Sequence, residues 1–131
     1  MKKYFWLLGL FMIGCGNAQN VDISGTWYLQ TLSNNGRQIN VSASESGAFV
    51  SFENGKVSGN AGCNQFFASY TSSGNAIQFS KAGMTRMMCA NESMAVEDSL
   101  IKVLNDGTSQ MSASHNELIL QKGGVRAVFS R

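Results

Sequence analysis

The chain has 131 residues, which predicts one domain, and only 14 % of them are charged, against about 25 % in a typical soluble domain. Its formal net charge of +2 comes from Lys2 and Lys3, so the rest of the chain is neutral overall. That balance argues against nucleic-acid binding, and a single histidine weakens most hydrolase and metalloenzyme interpretations.

The first 18 residues have the pattern of a secretory leader. Lys2 and Lys3 are followed by an apolar run at residues 4–13. This run is too short to span a bilayer, because a spanning helix needs about 20 apolar residues. We therefore predict an exported chain with a leader at residues 1–18, a tether at residues 19–24 and a folded domain at residues 25–131.

Two cleavage sites are consistent with this leader. Gly14 before Cys15, after an apolar pair, resembles a bacterial lipobox. In such proteins the new N-terminal cysteine is acylated, and each buried CH₂ contributes about 0.8 kcal/mol to membrane anchoring. The alternative is an ordinary cut after Ala18, which would discard Cys15 and release a soluble periplasmic or secreted protein. We favour lipidation of Cys15, and Gly16 in place of an aspartate favours the outer membrane, facing the periplasm.

The domain is predicted to consist mainly of short β-strands. Apolar, β-branched and aromatic residues predict strands at residues 26–32, 49–52, 56–59, 65–71, 76–79, 109–114, 117–121 and 125–130. Asn54-Gly55 favours a hairpin turn of type I′, because both central residues of that turn need positive φ. The polar residues 33–46 contain Asn35-Gly36 and are predicted to form a turn followed by a surface excursion.

One segment, residues 92–105, has helical spacing. Its apolar residues recur at i, i+4, i+7 and i+8, on one face: Val96, Leu100, Val103 and Leu104. Asn91 is expected to cap the start, and Asp106-Gly107 to end the helix with positive φ.

The charged residues of this helix are expected to form a solvated face. Asp98 and Lys102 form a solvent-side i,i+4 pair, and Glu92, Glu97 and Asp98 lie on or beside the helix. The sum is an α+β, β-rich fold, in which a curved antiparallel sheet or partial barrel of short strands has one helix packed against it.

Cys63 and Cys89 are the cysteines of the predicted domain. An exported chain folds in an oxidising compartment, so one disulfide is expected, closing a loop of about 27 residues and contributing roughly 3 kcal/mol. The alternative is two separately buried thiols, since free cysteine packs as a small apolar side chain.

Two motifs resemble the signatures of the META domain family. The first, Gly-x-x-x-Cys-Asn-x-Phe, is matched by Gly59, Cys63, Asn64 and Phe66, with Gly62 inside it. The second, Thr-x-Met-x-Cys, is matched by Thr85, Met87 and Cys89, with Arg86 inside it. The resemblance covers about residues 24–131, with Ala68 in place of a family glycine. The sequence is especially similar to that of a bacterial heat-shock lipoprotein.

The resemblance implies a β-rich domain with a helix on a curved sheet. It also implies a location in the bacterial envelope and a link to stress or antibiotic tolerance. It implies no reaction. Glu97 matches an acidic residue of the family's helix.

The residue types needed for catalysis or metal binding are sparse. His115 lies in a predicted turn, and no pair of cysteines has zinc-ligand spacing, so no catalytic residue, metal or cofactor is predicted. Met87, Met88 and Cys89 are the one soft-ligand cluster, although methionine is usually core filler. Arg86 is expected to tie its loop to sheet carbonyls or to Glu97, or else to be a solvated charge.

Phe66 and Phe67 are adjacent in a predicted strand, so their rings must point to opposite faces. The outward ring is the best physical hint of a binding surface, although a closed barrel would hide both rings. We therefore expect a non-enzymatic envelope domain that binds a ligand or an envelope protein. The alternative is a redox or copper-handling protein that uses Cys63, Cys89 and the nearby methionines.

The lipid anchor gives the first testable prediction. Replacing Cys15 by serine should abolish labelling with a radioactive fatty acid and move the protein from membrane to soluble fractions, because the acylated sulfur is lost. A wild-type protein that begins at Gln19 without lipid mass would show instead that the cut after Ala18 is correct.

Overall fold

The computed structural model describes residues 21–43 and 47–131. The predicted leader, Cys15 and the start of the tether lie outside these residues. No helix within the described part of the chain is long and apolar enough to cross a bilayer.

The described residues form ten β-strands, one α-helix and a 3-10 turn. The strands are β1 Gly25–Asn34, β2 Arg37–Ile39, β3 Phe49–Glu53, β4 Lys56–Asn60, β5 Gln65–Ser73, β6 Ala76–Phe79, β7 Gly83–Met84, β8 Gly107–Ala113, β9 Glu117–Lys122 and β10 Val125–Ser130. The helix, α1, is Asn91–Leu104, and the 3-10 turn is Val41–Ala43.

Eight of these strands close into an antiparallel barrel. The order around it is β1, β3, β4, β5, β6, β8, β9 and β10, and β10 pairs with β1 to complete the circle. The two short strands lie off this circle: β2 pairs with the second half of β1, and β7 pairs with β5. The predicted β-rich fold is confirmed, and its sheet closes fully.

A bulge in β1 allows one strand to serve both halves of the barrel. The register against β10 shifts between Leu29 and Thr31, so one extra residue is inserted. Trp27 before the bulge and Leu32 after it are therefore both 0 % exposed, although an odd spacing would otherwise place them on opposite faces.

The hairpin predicted at Asn54-Gly55 is confirmed, with φ of 52° and 79°. Asn35 and Gly36 have φ of 52° and 82° and form a similar turn. That turn brings Arg37–Ile39 back alongside β1, so the prediction of a simple surface excursion is wrong for these three residues. Strand β7 was also missed, because two residues are too few to show a period.

Side chains from all eight barrel strands and from α1 form one buried cluster. Its largest fully buried members are Trp27, Phe52, Phe66, Phe129, Leu32, Ile77, Leu100, Leu104, Leu118 and Leu120. An eight-stranded barrel has an interior just wide enough for side chains to fill. Here the interior is the hydrophobic core.

Helix α1 covers the end of the barrel where β4 ends and β5 begins. Its Val96, Leu100, Val103 and Leu104 are all 0 % exposed, whereas Asp98 and Lys102 are exposed, which confirms the predicted face. The predicted cap is wrong: Asn91 is the first helical residue, and no side chain caps the helix. Asp106 has the expected positive φ of 47°, but the helix already ends at Leu104 and Asn105 is extended, so Asp106 turns the chain into β8 instead of ending the helix.

The opposite end of the barrel holds the chain's entry into β1. The Trp27 indole donates a hydrogen bond to the Ile23 carbonyl, and Ile23 is 5 % exposed. The Arg131 guanidinium lies 4.2 Å from the centre of the Trp27 ring and donates to the carbonyls of Asp22 and Ser24. Residues 22–24, at the end of the expected tether, therefore contact the barrel.

Two ionisable groups at this end have shifted pKa values. Hydrogen bonds from Ser24 lower the pKa of the exposed Asp22 carboxyl, and the nearby Arg131 acts in the same direction. Burial raises the pKa of the Tyr70 hydroxyl, and the Asp22 charge adds to that effect.

The packing of α1 gives a quantitative prediction. Leu100→Ala should lower the free energy of unfolding by about 2–5 kcal/mol, because it leaves a cavity where the helix meets the barrel. Lys102→Ala on the exposed face is the matched control and should change it by less than about 0.5 kcal/mol. Denaturant unfolding measures the change in free energy for each variant. Equal changes would show that the Leu100 face of α1 does not pack against the barrel.

Candidate functional site

The bend between β4 and β5 is stabilised by its own side chains. The Asn60 carbonyl Oδ1 accepts the Gly62 N–H at 2.8 Å, and the Asn60 Nδ2 donates to the Cys63 carbonyl at 3.4 Å. The Ala61 N–H donates to the Asn64 carbonyl at 2.9 Å. These bonds satisfy backbone groups of a buried turn and leave the N–H groups of Cys63 and Asn64 directed at α1.

The two signature glycines are sites where backbones approach closely. A Cβ at Gly59 would overlap the Phe49 carbonyl oxygen in β3. Gly62 has a φ of 125°, and a Cβ there would lie 3.0 Å from the Ser93 carbonyl oxygen and 3.1 Å from the Glu97 nitrogen. Larger residues would therefore push β4 from β3 and the bend from the helix.

Glu97 is the acceptor at the centre of this contact and is only 6 % exposed. Its Oε1 accepts the N–H groups of Cys63 at 3.2 Å and Asn64 at 2.6 Å, and its Oε2 accepts the Asn64 Nδ2 at 2.9 Å. The prediction that the helix carboxylates form a solvated face is therefore wrong for Glu97. Bonds to an ionised carboxylate are stronger than neutral ones, so three of them offset the cost of burial.

The Asn64 side chain extends the network to the second signature. Its Oδ1 accepts the Thr85 hydroxyl at 2.9 Å and the Met87 N–H at 2.5 Å, and its Nδ2 also donates to the Met87 carbonyl at 3.2 Å. The Thr85 N–H in turn donates to the Gln65 carbonyl. One asparagine thus joins the β4–β5 bend, the helix and the segment after β7.

Cys63 and Cys89 form a disulfide, with Cα atoms 5.9 Å apart. This separation lies in the usual range of about 4.4–6.8 Å. The predicted bridge is confirmed, and the alternative of two separately buried thiols is wrong. The bridge fixes the far end of the segment whose beginning is held by Asn64.

Three large apolar side chains remain exposed beside this network, and we call them the signature surface: Phe67, Met87 and Met88. Their exposed fractions are 60 %, 53 % and 89 %. The Phe67 ring lies over Gly83, its partner in the β5–β7 ladder, and the chain continues from β7 to Met87 and Met88. The Met87 backbone is hydrogen-bonded to Asn64 and Cys89 is held by the disulfide, while the three side chains are exposed.

The two adjacent phenylalanines point to opposite faces, as predicted. Phe66 is 1 % exposed and lies in the barrel interior, whereas Phe67 lies outside. The expectation that a closed barrel would hide both rings is wrong, because closure covers only the inner face of the sheet.

Arg86 does not make the expected tie. It is exposed, and Glu97 is occupied by Cys63 and Asn64 instead. The loop that Arg86 was expected to hold is held by the Asn64 amide and the disulfide. A short polar side chain reaching a backbone gives no periodic signal, so only the Cys-Asn step of the motif indicated it.

The residues considered for catalysis lie apart. His115 is exposed in the β8–β9 turn, at the barrel end opposite Cys63 and Cys89. Within residues 21–43 and 47–131, no three histidine, cysteine or acidic side chains are grouped to hold a metal ion. With both sulfurs in the disulfide, neither cysteine offers a thiolate as nucleophile or ligand.

An open groove of about 1080 Å³ runs along the outside of β8 and β9. Its walls combine hydroxyl and amide side chains with Ile119 and the turn Gly123-Gly124. The groove contains none of the signature residues.

Removing the charge of Glu97 should destabilise the domain. Glu97→Gln places an NH₂ group against N–H donors or leaves one of them unpaired, so the free energy of unfolding should fall by about 2–3 kcal/mol. Glu92→Gln, exposed in the first turn of the same helix, is the control and should have little effect. Denaturant unfolding of both variants decides, and equal losses would mean that the Glu97 bonds do not stabilise the fold.

Comparisons with solved structures show the same fold at low sequence identity. An NMR structure is 24 % identical with a TM-score of 0.64, covering 82 % of this chain and 89 % of the other. An NMR structure from Burkholderia xenovorans is 19 % identical with a TM-score of 0.63, covering 88 % and 86 %. A lipocalin-like protein from Bacteroides uniformis is 20 % identical with a TM-score of 0.56, covering 85 % and 99 %.

A comparison with curated proteins finds no match. The family comparison does: residues 19–131 match the META domain, which includes both signatures and every element described above. This chain therefore belongs to the META domain family.

Proposed function

We propose that this protein is a non-enzymatic envelope domain that binds a partner protein through its signature surface and contributes to stress or antibiotic tolerance. The observation that carries the proposal is the exposure of Phe67, Met87 and Met88 on a backbone held by Asn64 and the disulfide. The family membership and the small barrel fold support a binding role.

The barrel interior does not offer the binding site. Eight-stranded barrels either hold one small ligand or are filled by side chains. In this one the bulky Trp27, Phe52, Phe66 and Phe129 are buried together with the apolar face of α1. A partner must therefore contact the outside.

The composition of the signature surface suits a protein partner. Aromatic residues and methionine are enriched in protein interfaces, and methionine adapts its shape to different partners. Exposed apolar surface of this kind often marks a contact site, and Phe67 lies on the strand that pairs with β7, shortly before Met87 and Met88 in the chain. A rigid backbone under them reduces the entropy that binding costs.

The proposed lipid anchor orients this surface. If Cys15 is acylated, it is six residue steps from Val21, a distance of at most about 22 Å when fully extended. Ile23 and Trp27 lie at the barrel end opposite α1, so that end would be next to the membrane. The bend between β4 and β5, at the end covered by α1, would then face the periplasm. The disulfide is compatible with an extracellular or periplasmic location.

The redox or copper-handling alternative has no supporting observation. Its two cysteine sulfurs are joined in the disulfide, so neither is available as a thiolate.

Cross-linking in living cells tests the proposal. A photoreactive amino acid at position 88 should yield one defined cross-linked partner, whereas the same group at exposed position 102 should not. Negative charge on the signature surface should prevent the partner from docking. The double variant Met87→Asp and Met88→Asp, with the photoreactive amino acid at position 67, should therefore give no cross-link. The same double variant should reduce stress or antibiotic tolerance when it complements a deletion strain. Lys102→Asp should retain both. Identical products from positions 88 and 102, or full tolerance with both aspartates, would refute the proposal.

A further inference from the structure

We propose that Met87 and Met88 form a reversible oxidation site. Peroxide-type oxidants convert their thioethers to sulfoxides on an intact fold, and this changes the signature surface from apolar to polar. The consequence for partner binding rests on the proposed function, whereas the modification itself is a property of the folded chain.

Access separates these two methionines from the others in the described domain. Met87 is 53 % exposed and Met88 is 89 % exposed. Met111 is 9 % exposed in the core, and Met84 is partly buried and packed against it. Met94 on α1 is also partly covered. Oxidation of methionine follows exposure, so the oxidant meets Met88 first and Met87 next.

No cysteine of the described domain competes for the oxidant. Free thiolates react faster than thioethers and would otherwise consume it. Cys63 and Cys89 are already joined, and Cys63 is 0 % exposed. The exposed thioethers are therefore the reactive sulfurs of this surface.

The fold tolerates the product at these two positions. The N–H and the carbonyl of Met87 are hydrogen-bonded to the Asn64 side chain, and the disulfide holds Cys89, the residue after Met88. The Met87 and Met88 side chains contribute little to this support, because they point into solvent. A sulfoxide in place of Met111 would instead bury a polar group in the core.

The oxidation and its reversal need no group of this protein other than the methionine sulfur. The thioether sulfur attacks one oxygen of hydrogen peroxide and the O–O bond breaks. The sulfur becomes a sulfoxide, and the second peroxide oxygen leaves as water. The return step takes two electrons from a dithiol of a methionine sulfoxide reductase, which forms a disulfide and releases the oxygen as water. Exposed side chains are open to such an enzyme.

Limited oxidation of the purified, disulfide-bonded protein tests this inference. After treatment with hydrogen peroxide, peptide mass spectrometry should show oxygen on Met87 and Met88 at rates about tenfold or more above those of Met84 and Met111. Near-ultraviolet circular dichroism should stay unchanged. Retention on a hydrophobic-interaction column should fall, and a methionine sulfoxide reductase with dithiothreitol should restore it.

The matched control is the double variant Met87→Leu and Met88→Leu, whose retention should not change under the same treatment. Comparable oxidation of Met84 or Met111, loss of the fold when Met87 and Met88 are oxidised, or a sulfoxide that the reductase cannot remove would overturn the inference. The assay contains no partner protein, so its failure is distinct from a failure of the proposed binding function.

Discussion

The buried carboxylate of Glu97 is the constraint on which the signature region depends. It lies on α1 and accepts hydrogen bonds from two consecutive backbone N–H groups and one side-chain amide, all from Cys63 and Asn64. A charge that is 6 % exposed is tolerated only when such donors surround it. The donors are correctly placed only if the β4–β5 bend keeps its shape, which requires Gly59 and Gly62. The two signatures and the helix therefore form one interdependent unit.

This unit separates the structural role of the family motifs from the surface they present. Asn64 and the disulfide use polar and sulfur atoms to hold the segment after β7. What the segment presents to solvent is Met87 and Met88, with Phe67 on the neighbouring strand. Because the barrel interior is filled by the core, the outside of the molecule is where a binding role can be exercised. Under the proposed function the motifs act indirectly, by holding the backbone from which these exposed side chains project.

The elements set by local physics were predictable from the sequence. The Asn54-Gly55 hairpin follows from the need for positive φ, and the buried face of α1 follows from the spacing of Val96 and Leu100. Non-local features were not predictable in this way. The sheet closes through the pairing of β1 with β10, and the bulge after Leu29 in that pairing leaves no pattern in the sequence. The burial of Glu97 could not be inferred from helical spacing, because its partners are backbone N–H groups more than 30 positions away in the chain.

Hydrogen exchange at single amides tests the central claim most directly, namely that Glu97 and Asn64 join the bend, the helix and the second signature into one unit. Amide exchange followed by NMR in the oxidised protein should show the N–H groups of Asn64 and Met87 protected to nearly the same degree as the core strands, because they open only when the domain unfolds. Both should lose protection together in the Glu97→Gln variant. Rapid exchange of Asn64 and Met87 in the wild type, at the rate of exposed loop amides, would contradict the account.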